Sequence, residues 1–184
     1  MKDPLQHFIS YLKERNIPYV EETIEATPRI IIVLAGYPAC PGGKLEACIY
    51  FHKEAHAIEA RVYFADPAPA AVKRSGHLSD LYRLLNRINA KLFPRNEDHA
   101  EGSVYTPSYL ITPRFYVTED GCFDLTAALV MDNDFFELAP LEIEDYLTIA
   151  LPRLIADLSP FIFGVLRGDI SAEYAIRLIE SRVL

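Results

Sequence analysis

Ala57-Ile58-Glu59-Ala60-Arg61-Val62-Tyr63-Phe64 alternates apolar side chains with charged or aromatic ones. Successive side chains of a strand point to opposite faces, so Ile58, Ala60, Val62 and Phe64 share a buried face and Glu59, Arg61 and Tyr63 a wet one. A half-wet strand belongs in an antiparallel sheet covered on one side. Working outward, residues 45–51 read as its hairpin partner, and residues 29–35 as a strand because Ile30-Ile31-Ile32-Val33 is a β-branched run between Pro28 and Gly36. Residues 19–26 read as β as well. Further along, residues 109–118 and 122–131 form a hairpin joined by Glu119-Asp120-Gly121, where the Asp-Gly step supplies the positive φ angles of a tight turn. Pro113 has no N–H for a ladder, which marks its strand as an edge or a bulge.

Helices flank these strands. Asp3 is placed to cap a helix with Pro4 at its first position, and Leu5, Phe8, Ile9 and Leu12 then fall on one face as far as Asn16. Residues 66–77 read as a connector rich in proline and alanine, after which Ser79 caps a helix with the stripe Leu81, Leu84, Leu85, Ile88 and Leu92. A polar loop follows over residues 95–103. In the last third, Leu147, Leu151, Leu154, Ile155 and Leu158 keep helical spacing, with Pro152 expected to kink that helix or start a second one. Residues 160–166 are apolar enough to be buried, Gly168 fits a helix C′ position, and Ser171 caps a final helix. The fold class is α+β, an antiparallel sheet packed against helices with additional helices at the C-terminal end. One domain over residues 1–184 is expected, with internal halves at 1–92 and 93–184 as a subdivision.

The charge of −8 is unevenly spread, since residues 1–92 hold 12 bases and 10 acids while residues 93–184 hold 6 bases and 16 acids. No basic residue lies between Arg114 and Arg153. Phosphate binding rests on Lys and Arg, so nucleic acid is excluded as a partner of that half, and a basic protein segment is the better match. Neither the N-terminal stretch nor any later run reads as a secretion signal or as the roughly 20 apolar residues of a membrane span, and a cytoplasmic protein is expected. Cys40, Cys48 and Cys122 are an odd number and are expected to be reduced.

Four motifs invite a chemical reading and fail on named residues. Gly36 to Lys44 has proline at position 38 and leucine at position 45, where a phosphate loop needs glycine and a hydroxyl. His52 and His56 sit in an expected turn without the glutamate of a zinc-helix motif, and Cys40 and Cys48 lack paired zinc spacing. Asp132-Asn133-Asp134 begins like a calcium loop, but Phe136 and Glu137 take the next ligand and the glycine positions. Arg167-Gly168-Asp169 is more simply a helix end. With no nucleophile elbow and no cysteine with a base, neither a metal nor a cofactor is expected and the chain reads as non-enzymatic. The alternative is a small-ligand protein or enzyme whose site is assembled from distant residues, with His77, Asp80 and Tyr82 as polar groups that would converge there.

The surviving candidate surface is Asp132, Asp134, Phe135, Phe136 and Glu137, with Leu138 and Leu141 beside them: an apolar centre rimmed by acids. The competing reading is that a phenylalanine there anchors the strand-to-helix connection.

From Leu81 to Leu158 the chain resembles the YbjN family of bacterial sensory transduction regulators, whose fold is related to type III secretion chaperones. The resemblance is carried by Leu84-Leu85-Asn86-Arg87-Ile88-Asn89, the hairpin Phe115-Tyr116-Val117-Thr118-Glu119-Asp120-Gly121-Cys122-Phe123-Asp124, and the acidic start of the long helix. It implies a curved antiparallel sheet on helices, a homodimer, and a chaperone-like or regulatory role in binding protein segments without turnover. It brings no catalytic residues.

Overall fold

The computed structural model describes residues 3–91 and 112–182. Six strands form one antiparallel sheet in the order β1-β2-β3-β4-β6-β5: β1 (Tyr19–Ile24), β2 (Thr27–Ala35), β3 (Lys44–His52), β4 (Ala57–Phe64), β5 (Arg114–Val117) and β6 (Leu125–Asp132). The register lines up Ile30, Ile49, Ala60 and Leu129 across four strands, and beside them Ile32, Ala47, Val62, Ala127 and Phe115 across five. All of these are buried, so the period of two read in residues 57–64 sets the covered face of the whole sheet. The pairing of β4 with β6 joins the basic and acidic halves of the chain in one layer.

The second layer is helical: α1 (Pro4–Glu14), α2 (Ala68–Arg74), α3 (Leu78–Lys91), α4 (Asn133–Leu138), α5 (Pro140–Asp145), α6 (Leu151–Leu166) and α7 (Ala172–Arg182). Asp3 caps α1 as expected, its Oδ1 accepting from the Leu5 amide at 3.2 Å. Phe8, Ile9 and Leu12 of α1 and Leu81, Leu84, Leu85 and Ile88 of α3 are buried in a core continuous with Phe64, whose ring meets Phe163 of α6 edge-on at 5.0 Å.

Several boundaries differ from expectation for local reasons. α2 occupies part of the connector, with Pro69 in its first turn and Ala68 and Val72 buried. α3 begins at Leu78 and takes Ser79 inside it, while the Ser75 hydroxyl accepts from the His77 amide ahead of the helix. β5 is shorter than residues 109–118, of which 109–111 lie outside the described residues. Pro152 stands in the first turn of α6, as expected of a proline that starts a second segment, within a helical run, Pro140–Leu166, of 27 residues. The run passes through a wide turn over Tyr146–Ala150 in which the Leu151 amide reaches back five residues to the Tyr146 carbonyl. That widened turn precedes Pro152, a residue with no N–H for an ordinary helical bond. By length and composition this run is apolar enough to cross a membrane, contrary to the sequence reading, yet 61% of its apolar window is buried inside the protein. It is the central helix of the core.

Candidate interaction surface

The two edges of the sheet are built differently. At β5, the Asn89 side chain of α3 pairs with the backbone as a neighbouring strand would: Nδ2 donates to the Phe115 carbonyl and the Phe115 amide donates to Oδ1, both at 2.8 Å. Two residues earlier, buried Pro113 has no amide hydrogen to present. At β1, Ile24 opposite Thr27 closes a two-residue turn in which Glu25 and Ala26 have φ of 48° and 65°. Such a turn makes its closing pair exchange ladder bonds, and pairs alternate from there. Val20, Glu22 and Ile24 therefore bond to β2, while Tyr19, Glu21 and Thr23 turn their N–H and C=O outward. Pro28, opposite Thr23, falls where no ladder bond toward β1 is required.

Among the described residues, nothing bonds to the outward groups of Glu21 or Thr23. Val20 to Ile24 are all exposed, and Glu21, Glu22 and Glu25 line this edge with negative charge.

The sheet face away from the helices carries alternating residues of all six strands. Arg29 bonds Glu22 through Nη2 at 2.6 Å and lies over the Tyr50 ring. Arg61 reaches Glu59 at 2.6 Å from the other side of Tyr50, and His52 lies 3.1 Å from Glu59. Burial alone would raise the Glu59 carboxyl, but the bonds from Arg61 and His52 outweigh it and hold it below its ordinary value. Tyr63 lies 3.4 Å from the Cys48 thiol and donates to Glu46 at 3.3 Å, and burial pushes its hydroxyl upward. By register the face holds four fixed cations (Arg29, Lys44, Arg61, Arg114) and four anions (Glu22, Glu46, Glu59, Asp132), a net of zero in a chain of −8.

The acidic stretch is arranged around α4. Asp132 caps that helix, its Oδ1 accepting from the Asp134 amide at 2.8 Å. Asp134 is exposed and meets His56 at 3.2 Å. Phe136 is buried, edge-on to His7 at 5.9 Å, so it anchors the strand-to-helix connection; Phe135 and Glu137 are half-buried, and Leu138 and Leu141 are exposed. The fold thus brings His56, and not His52, to the aspartates: His56, Asp132 and Asp134 have ligand atoms within 4.8 Å of one another, all three exposed. Sequence spacing had set the histidines and the Asp-Asn-Asp run apart, and only the pairing of β4 with β6 joins them.

A buried polar cluster docks α1 on the helical run. Glu144 is 1% exposed; its Oε1 lies 2.8 Å from His7 Nδ1 and its Oε2 is buried without a partner. Burial raises its carboxyl, against the pull of His7. The Tyr11 hydroxyl donates to Asp145 at 2.8 Å, and burial above all pushes it up to about 12. Arg15 closes the cluster on Asp145 at 2.9 Å.

Between α3 and α7 lies a shallow groove of about 510 Å³ with Ala90 and Ile176 in its lining. The pairs Arg83–Glu173 and Arg87–Glu180 join the two helices beside it. His77, Asp80 and Tyr82 do not line it; His77 and Asp80 lie 3.7 Å apart at the surface. The loop over residues 36–44 turns its amides onto its own carbonyls, Tyr37 to Gly43, Cys40 to Tyr37 and Gly43 to Cys40.

Among the described residues, fold and surface define a two-layer α+β protein with one sheet edge clamped at Phe115, one open acidic edge and one uncovered, charge-balanced sheet face. Comparison with family models, with curated proteins and with solved structures finds no match, so the YbjN resemblance rests on the residues quoted for it.

Proposed function

We propose that this chain is a non-enzymatic binding module that takes an extended, basic protein segment as a seventh strand along β1. The observation that carries the reading is the contrast in edge chemistry, with Phe115 bonded by Asn89 and Glu21 and Thr23 left with outward backbone groups. Main-chain bonds to those groups would supply affinity, and alternate side chains would supply specificity. Glu21 has no cationic partner among the described residues, and Glu22 shares Arg29. An antiparallel segment Val-Thr-Lys-Lys-Val would set its valines against Ile24 and Val20 and its lysines against Glu22 and Glu21. A second copy of β1 would set glutamates against glutamates, which favours a partner of opposite charge.

Titration calorimetry with that peptide, and with a version carrying glutamates for lysines, tests the reading. The lysine peptide should bind, weaken as salt rises, and lose binding to Thr23→Pro, which removes an outward amide while keeping every acid. Equal binding of both peptides, or full binding to Thr23→Pro, overturns it.

A further inference from the structure

The groove between α3 and α7 is built from one stripe of each helix. Arg83, Asn86, Arg87 and Ala90 follow one another at helical spacing on α3, and Glu173, Ile176 and Arg177 do so on α7. Three of these seven lining residues are arginines and one is an acid, a net of +2 in a chain of −8. Counting Glu180, which pairs with Arg87 beside the groove, the group still carries +1. Its donors are only partly used. Arg83 reaches Glu173 through Nη1 alone, and Arg87 gives Nε and Nη2 to a single oxygen of Glu180, so each of these five-donor groups keeps N–H bonds free. Arg177 lies over the Tyr174 ring, 5.8 Å from its centre, and has no carboxylate partner among the described residues. The Asn86 side chain has no partner among them either.

We propose that this groove binds a small phosphate monoester with an apolar body. Arg83 and Arg87 stand about 6 Å apart along the axis of α3, and Arg177 stands on the neighbouring helix, so guanidinium donors come from both walls. A phosphate monoester offers three terminal oxygens, one for each guanidinium, and carries close to −2 at neutral pH. A carboxylate offers two oxygens and a single charge. Planar guanidinium forks pair such oxygens two bonds at a time, which Lys cannot do. The pairs with Glu173 and Glu180 are exposed and therefore weak, so an entering dianion can displace them. The volume of about 510 Å³ exceeds what one oxyanion fills and lies within the range of small-molecule sites. Half-buried Ile176 and exposed Ala90 give the remaining space an apolar lining, against which the body of the ester packs. The site lies in the helical layer and is separate from strand addition at β1, where the edge carries charge of the opposite sign.

Titration calorimetry with phenyl phosphate, benzoate and inorganic phosphate tests this. Phenyl phosphate should bind at one site per chain and weaken as salt rises. Benzoate, which lacks an oxygen and a charge, and inorganic phosphate, which lacks the apolar body, should each bind about tenfold more weakly. Arg177→Gln should weaken phenyl phosphate about tenfold with an unchanged urea midpoint, because that side chain is exposed. Arg114→Gln removes an exposed arginine of the sheet face, likewise without a carboxylate partner among the described residues, and should bind as the wild type does. No binding of phenyl phosphate at about 10 mM, benzoate or inorganic phosphate binding as tightly, full binding by Arg177→Gln, or an equal loss from Arg114→Gln would each overturn the proposal.

Discussion

At β5 the outward N–H and C=O of Phe115 meet the two ends of the Asn89 amide, whereas at β1 the corresponding groups of Glu21 and Thr23 face outward beside three glutamates. Both edges need protection, because unpaired strand groups recruit other chains. An amide clamp occupies the outward groups of Phe115 against a strand of either sign. Acidic side chains exclude only strands of the same sign, and so protect against self-pairing while leaving a basic strand admissible. The difference teaches that an edge can be selective without being closed.

The contrast breaks most directly at Asn89. Asn89→Ala leaves two partly buried backbone groups of Phe115 without partners, and unfolding in urea should show a loss of about 2–3 kcal/mol. Thr23→Pro on the open edge should cost less; if it costs as much, the edges are not finished differently. Next in size, Glu21→Lys with Glu25→Lys should lower affinity for the Val-Thr-Lys-Lys-Val peptide by about 1–2 kcal/mol and flatten its salt dependence, as calorimetry would read.

The third test concerns α1, which leads directly into β1. The raised carboxyl of Glu144 keeps its proton in the native state over a pH window, beginning near 4.5, in which the unfolded chain has lost it. The native state then binds more protons, so stability falls as pH rises through that window, by at most about 1.4 kcal/mol per pH unit. Glu144→Gln should flatten that slope in urea titrations at successive pH values, with peptide affinity unchanged. The smallest effect is expected of Arg29→Ala. Losing this pair should change stability by less than about 1 kcal/mol, and the freed Glu22 should bind the lysine peptide slightly more tightly.

The sequence made the sheet legible where burial is one-sided. Ile58, Ala60, Val62 and Phe64 announce their face by alternation, β2 follows from its β-branched run between Pro28 and Gly36, and β3 as the hairpin partner of β4. α2 was hidden because Pro67, Pro69 and three alanines give a connector's composition and too short an apolar stripe. In the long helical run Pro152 marks the start of α6, but the widened turn before it is not legible because it depends on packing that a local rule does not see. The candidate surface was least legible. Asn89 lies in a quoted helix motif, but its partner is 26 residues away on another element, and no spacing rule connects a helix asparagine to a strand edge. Phe136 shows the converse, a residue singled out for its acidic neighbours that the fold places inside against His7.

Amide hydrogen exchange with and without the lysine peptide reads both sheet edges at once. In the free protein the amides of Glu21 and Thr23 should exchange rapidly and that of Phe115 slowly, and the peptide should slow the first two while leaving the third unchanged. Protection of Glu21 and Thr23 already in the free chain, or peptide-induced protection confined to other strands, would contradict strand addition along β1.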